Sequence, residues 1–287
     1  MTGPNRALSI PELLLWTLEY LSAEELMVAA LVCKVWSAPA TDIRWRTQTI
    51  TLSRLFAKLA PINKNYHERY AVLAPQIPIS QDDWCRFLER YANRVTKLNF
   101  DIEFDINSLM LISTLLETFG GLLCSGLTSL TWPTSSAYEP EDCPKLLDLL
   151  TVTKLQTVEY ADSISLLQLA HRAAHIREIA GPRYSKSFNF SVFSQLRSLS
   201  YVGYLSTTDY HNLTRCTHLK VLHLWDTRAG VTSLEQNNSE AITFPHLEEF
   251  LVDTCNNAAD RMILRSVMPA LRSLDQRRME SISTIPS

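Results

Sequence analysis

The sequence predicts a mixed fold, α+β overall with an α/β body: a small all-α module of three helices, followed by an irregular solenoid of alternating short parallel strands and helices. Three observations lead there. Residues up to Trp45 carry helical spacing of apolar side chains behind two capping signals. From Val95 onward, aliphatic residues at alternate or third positions recur every 20 to 32 residues or so. Helical patterns fill several of the intervals, two of them ending at Gly or Pro.

Composition bounds the function classes. With 46% hydrophobic and 20% charged residues, the 287-residue chain is ordinary globular material, long enough for a small module and a repeat array. A net charge of −3 gives no pull towards nucleic acid or an anionic membrane, and the longest basic cluster near the end is only Arg277-Arg278. The 7 glycines are too few for a Gly-rich nucleotide-binding chain. The 6 cysteines form no Cys-x-x-Cys pair, which argues against a zinc ribbon or a redox motif and for reduced thiols in the cytoplasm, the nucleus or both. No apolar stretch approaches the roughly 18 residues of a membrane span. Neither nucleic acid nor membrane is expected as a partner.

In the first helix, Ile10, Leu13, Leu14, Thr17, Leu18 and Leu21 share the spacing of one face, with Pro11 in the first turn and Glu12 at the capping-box position after Ser9. Ser22-Ala23-Glu24-Glu25 opens a second helix almost without a loop. That helix is expected to run from Leu26 to Trp36 with Lys34 as its only charge. Pro39 then marks a break before a third helical segment from Thr41 to Arg46. A helix apolar on every side must be buried on every side. Three helices of about 40 residues cannot enclose that much surface, so the surplus calls for a second surface.

Leu8-Ser9-Ile10-Pro11-Glu12-Leu13-Leu14, then Glu19-Tyr20-Leu21, Ala29 to Trp36 and Trp45-Arg46 resemble an F-box. The resemblance implies docking on a Skp-type adaptor and, through it, on a cullin scaffold. It places Ile10, Pro11, Leu13, Leu14, Leu31, Val32, Cys33 and Trp36 at or beside the adaptor contact. The pattern departs from the family where Pro11 and Glu12 are adjacent, and at Thr17 and Arg44.

Ile50 to Leu59 reads as an amphipathic helix ending at Pro61. Ser80-Gln81-Asp82-Asp83 starts another, with its two carboxylates where the macrodipole favours them and Trp84, Phe87, Leu88 and Tyr91 on one face. Trp84-Cys85-Arg86-Phe87-Leu88 also resembles the joint region of the large F-box group of mushroom-type fungi.

The recurring strands are Val95–Phe100, Leu127–Trp132, Leu155–Tyr160, Ile176–Ile179, Leu196–Tyr201, Leu219–Leu224, Leu247–Val252 and Leu271–Leu274. Between them, helices are expected over Asp105–Phe119, Ile164–His175 and Ala258–Met268. The period resembles that of leucine-rich repeats, in degenerate form, each unit burying its apolar face on the next. A doubly wound open sheet suits less well, because no Gly-rich phosphate loop follows any strand. The expected domains are a helical module over 1–49, a helical linker over 50–94 and the repeats over 95–287.

The chemistry of catalysis is not visible. His171 and His175 stand at the spacing of a zinc-binding helix, but no Glu follows His171 and no third ligand is evident. No nucleophile elbow or Walker loop occurs. The sequence therefore predicts a non-enzyme without metal or cofactor: a substrate-receptor subunit of an SCF-type ubiquitin ligase. The alternative is a repeat scaffold whose first helices serve only as a cap. Tyr201, Tyr204, His223, Trp225, Asp226 and Asp253, on or just after strands, are the candidates for contact with an unknown client protein.

Overall fold

A computed structural model describes residues 10–64, 70–101, 103–131, 147–159, 163–173, 175–181, 183–184, 189–203, 212–225, 242–254 and 266–278. They fall into two compact units, Met1–Thr128 with Lys145–Val152, and Ser129–Pro144 with Thr153–Ser287. This division coincides with neither expected boundary, because the first unit contains the helical module, the linker and the first repeat strand.

The first unit opens with α1 (Pro11–Glu19), α2 (Ala23–Val32) and α3 (Lys34–Thr47). Pro11 takes the first helical position, where a missing N–H costs nothing, and Ile10 caps α1 without a side-chain bond. At α2 the capping box is complete. The Ser22 backbone N–H donates to Glu25 Oε2 at 2.7 Å, and the Glu25 N–H donates to Ser22 Oγ at 3.3 Å. Contrary to the expectation of one helix to Trp36, α2 stops at Val32. Cys33 is extended and its carbonyl receives the N–H groups of Trp36 and Ser37, starting α3. The reversal lets Ala40 and Ile43 join Leu14, Leu18, Leu26 and Ala29 in one core. Pro39 lies inside α3 instead of breaking it. The loss of its N–H costs about 3 kcal/mol in a helix interior, and burial of Ala40, Ile43 and Trp45 around it offsets that.

The linker is not wholly helical. The stretch expected as one helix from Ile50 begins as β1 (Thr49–Thr51) and continues as the short α4 (Leu52–Phe56). Two threonines around a buried Ile50 favour the extended chain, and β1 pairs in parallel with β4 (Lys97–Asn99), Ile50 opposite Leu98. Between them, β2 (Ile62–Lys64) and β3 (Tyr70–Leu73) pair antiparallel, and β3 pairs in parallel with β5 (Glu103–Phe104).

Helix α5 (Gln81–Arg90) buries Trp84, Phe87 and Leu88 on its expected face. Helix α6 (Ile106–Phe119) is capped by Asp105 and ends at Gly120, with φ of 72°. Gly121 follows at 101°, and a Cβ there would collide with the Leu88 side chain. The Gly120 carbonyl accepts from Trp84 Nε1 at 3.0 Å, tying the two helices.

The second unit is built on a parallel ladder of β6 (Ser129–Thr131), β7 (Thr157–Glu159), β8 (Glu178–Ala180), β10 (Ser198–Gly203), β11 (Val221–Trp225), β13 (Glu249–Thr254) and β15 (Ser273–Arg278), with β9 (Arg183–Tyr184) beside β10. Its register sets one apolar residue of each strand opposite the next: Leu130, Val158, Ile179, Leu199, Leu222, Phe250 and Leu274. All of these but Leu274 are buried, and another buried row precedes the strands at Leu155, Ile176, Leu196, Leu219 and Leu247. Each of Ile176, Leu196 and Leu219 closes a turn onto the carbonyl three residues earlier, at Ala173, Phe193 and Cys216. This repetition of strand and turn is compatible with an α/β solenoid.

Two of the three expected interval helices lie within the described residues, α6 and one in the second unit. Helix α7 (Ser163–Arg172) fits its prediction but ends before His175. A 3-10 turn over Phe190–Val192 serves in the next interval. Most of the helix expected over Ala258–Met268 lies outside the described residues. Its last part is instead β14 (Ser266–Val267), paired with β12 (Ile242–Thr243). No described helix is long and apolar enough to cross a membrane.

Candidate functional site

The helical module closes its core and still has apolar side chains to spare. On α1, Leu14 and Leu18 point inward, while Leu13, Trp16 and Tyr20 follow one another at i, i+3 and i+7 on an exposed face. On α2 only Leu26 and Ala29 are buried. Met27 and Leu31, and Val28 and Val32, make two neighbouring i, i+4 rows along its outer side. Leu31 is 86% exposed, Val28 65%, Trp16 70% and Tyr20 88%. Ile10, Leu15 and Val35 are exposed as well. Exposed apolar side chains scattered singly are normal, whereas helical rows of them mark an interaction surface.

The residues expected at the adaptor contact divide. Ile10, Pro11, Leu13, Leu31, Val32 and Cys33 are exposed. Leu14, at 3% exposure, belongs to the core and lies beneath the exposed face, not on it. Trp36 is half-buried against the same core. The sequence reading missed Trp16, Tyr20, Met27, Val28 and Val35. The sequence did carry the surplus, as a helix apolar on every side, but which two positions of α2 the core takes is visible only in the fold.

Thr17 donates its hydroxyl to the Leu13 carbonyl at 2.8 Å. Its polar group is thereby satisfied along the helix, and α1 stays intact. Glu25 is held below its ordinary carboxyl range by the Ser22 backbone and hydroxyl. Arg44, partly buried in α3, is shifted down by desolvation and by nearby Arg54, and its Nε finds no partner.

The open face of the ladder carries the second group of candidates. Tyr201 is not on it. Its ring is 1% exposed and packs edge-on to Phe190 at 6.0 Å, because strand alternation sends it to the buried side with Leu199. His223 and Trp225 do lie on the open face, half-buried, with ring centroids 6.2 Å apart and nearly perpendicular. Trp225 Nε1 donates to Ser200 Oγ at 3.0 Å, and His223 Nε2 lies 3.0 Å from Glu249 Oε1. Both rings are therefore oriented before any partner arrives. Asp253 stands opposite Trp225 in the register. Tyr204 and Asp226 lie outside the described residues.

Elsewhere the chemistry is structural. His171 is on α7 and His175 beyond its end, so the two do not share a helix face. Ser80 caps α5, and Asp83 in its first turn receives the Ser80 hydroxyl at 2.6 Å and is held below the ordinary carboxylate range mainly by that bond. It faces an open cleft of about 360 Å³ lined also by Lys58, Pro61, Pro75, Pro78, Arg86 and Tyr91. The thiols of Cys124 and Cys216 are pushed up to about 12 by burial, which keeps them protonated and unreactive. Among the described residues, no group of three or more His, Cys, Asp and Glu is placed to hold a metal ion.

No protein-family model matches the chain, and no curated protein matches its sequence.

Proposed function

We propose that this chain is the substrate-receptor subunit of an SCF-type cullin ubiquitin ligase. Helices α1 and α2 and the start of α3 dock a Skp-type adaptor, and the open face of the ladder holds a client protein. The observation that carries this reading is the pair of exposed apolar rows on α2, beside a core that is already closed without them. Each large side chain there gains about 1.5–3 kcal/mol on full burial. Four or five of them supply the hydrophobic centre of a stable interface. The F-box resemblance names the partner. Transfer is then accelerated by proximity, since the receptor raises the local concentration of client lysines near a charged conjugating enzyme. The chain contributes binding energy and no reacting group. In the alternative reading, the helices only cap the repeats with their surplus packed internally. The exposure of Leu31, Val28 and Trp16 is unfavourable to it.

The test is co-expression of the full chain with a Skp-type adaptor and recovery of the complex. Wild type is expected to retain adaptor in stoichiometric amount through size exclusion. Val28→Asp with Leu31→Asp is expected to lose it while keeping the wild-type unfolding midpoint, because neither residue supports the core. Equal recovery from both proteins, or none from wild type, overturns the proposal.

A further inference from the structure

The second unit is slightly acidic as a whole, like the chain with its net charge of −3, yet several of its cations are gathered in one row. The residue just before or at the start of each ladder strand forms its own row across the sheet: Gln156, Arg177, Arg197, Lys220, Glu248 and Arg272. The backbone fixes this row. The carbonyl of each of the first five accepts two consecutive N–H groups from the following strand, as when Arg177 O receives Arg197 and Ser198. Neighbours in the row are thus one strand apart, about 4.8 Å.

One place in the row shows what this spacing does with an anion. The Glu248 carboxylate is 2.5 Å from Lys220 Nζ and 3.5 Å from Arg272 Nη1, bridging the cations of the two flanking strands. Lys220 holds it below the ordinary carboxylate range. On the other side of Lys220, Arg197 and Arg177 are both exposed and make no ion pair among the described residues. Among the described residues neither carboxylate of the neighbouring row forms an ion pair with them. Glu178 accepts the Thr157 hydroxyl at 3.2 Å, and Glu249 is engaged by His223. Two unpaired guanidiniums one strand apart repel each other and present planar donor forks suited to carboxylate or phosphate.

We propose that Arg177, Arg197 and Lys220 form a docking row for an acidic segment of a partner protein. Anionic side chains of that segment bridge successive cations as Glu248 does within the chain. An acidic peptide fits better than nucleic acid, because the row is confined to a few strands of a chain that is negative overall and has no field for a long polyanion. This deepens the client side of the proposed function and rests on that reading for its biological use. The binding itself needs no adaptor.

The experiment uses the full chain alone and fluorescence anisotropy of two labelled peptides, one rich in Glu and one of matched length carrying phosphoserines. Saturable, salt-sensitive binding is expected. Arg177→Glu with Arg197→Glu should weaken it at least about tenfold, and Arg177→Gln with Arg197→Gln less so. Lys58→Glu, in the other unit, should leave it unchanged. Glu248→Gln should tighten it about two- to threefold by freeing Lys220 and Arg272. Tighter binding of the phosphopeptide assigns phosphate as the natural anion, and equal binding assigns carboxylate; either supports the row. Binding unaffected by both arginine double variants, weakening by Glu248→Gln, or equally tight binding of single-stranded DNA of the same charge overturns it. Because no adaptor is present, such a failure leaves the adaptor reading untouched.

Discussion

In the parallel ladder, Leu130, Val158, Ile179, Leu199, Leu222 and Phe250 stand opposite one another across the strands, none more than 1% exposed. In the helical module, Leu31 is 86% exposed and Val28 65%. Both regions are apolar by composition, yet one hides its side chains within the chain and the other holds them out. The difference lies in how many neighbours the architecture supplies. A ladder strand has one on each side and a layer beneath it. A module of three helices has a single seam, which Leu14, Leu18, Leu26, Ala29, Ala40 and Ile43 already fill. The exposed apolar side chains beyond that seam, Val28 and Leu31 among them, add little to the fold of the isolated chain, and the proposed interface rests on them.

The contrast is broken or upheld most sharply by truncation. Leu222→Ala removes a fully buried side chain whose strand is held on both sides, and should cost about 2–5 kcal/mol of unfolding free energy. Leu31→Ala should stay within about 0.5 kcal/mol. Urea unfolding followed by circular dichroism measures both. Comparable losses at the two positions would mean that Leu31 is part of a core, and the interface argument would fall with it.

Next in size is the effect on adaptor binding. Leu31→Ala should weaken the complex by at least about 2 kcal/mol, as residues at the centre of an interface do. Leu15→Ala, on another side of α1, should cost less than half of that. Titration calorimetry separates the two. Reversal of the order would move the docking face off α2.

Cys33 offers a probe that alters no residue. It is exposed at the junction of α2 and α3, whereas Cys124 and Cys216 are buried thiols pushed up to about 12. Alkylation of the native chain should modify Cys33 and spare those two, and bound adaptor should slow the reaction at Cys33 about tenfold. Unchanged labelling in the complex would place the contact elsewhere.

The sequence revealed these two regions unequally. The ladder was legible strand by strand, because a parallel sheet writes its buried residues at short fixed spacing, and Leu196, Leu199, Leu219 and Leu222 stand where that spacing puts them. The boundary between α2 and α3 was not. Pro39 looked like the break, but tertiary closure of Ala40 and Ile43 onto the module core moved it to Cys33. Ile50 was hidden for a related reason. Helical spacing around it masked a three-residue strand whose pairing partner, Leu98, lies far along the chain. For the candidate sites, strand alternation could have told that Tyr201 sits with Leu199 on the buried side. It could not have told that Ser200 and Glu249 hold Trp225 and His223 in place, because those bonds join separate strands.

The smallest expected effect concerns the helix on which the exposed rows depend. Ser22 and Glu25 exchange hydrogen bonds at the start of α2, and Ser22→Ala should cost about 1 kcal/mol near neutral pH. The Glu25 pKa is lowered in the folded chain from its ordinary 4.5. Its contribution is therefore fully present above about 4.5 and is lost as pH falls through the lowered folded value. Ser22→Ala keeps the backbone N–H that lowers Glu25 most and removes only the hydroxyl's share, so the gap between wild type and Ser22→Ala should narrow slightly on acidification. Unfolding midpoints of the two proteins, compared near neutral pH and again well below 4.5, measure that narrowing. A gap that stays constant or widens would mean that the Ser22 hydroxyl does not act on the charged form of Glu25, and that the backbone bond alone carries the effect of its charge at the start of α2.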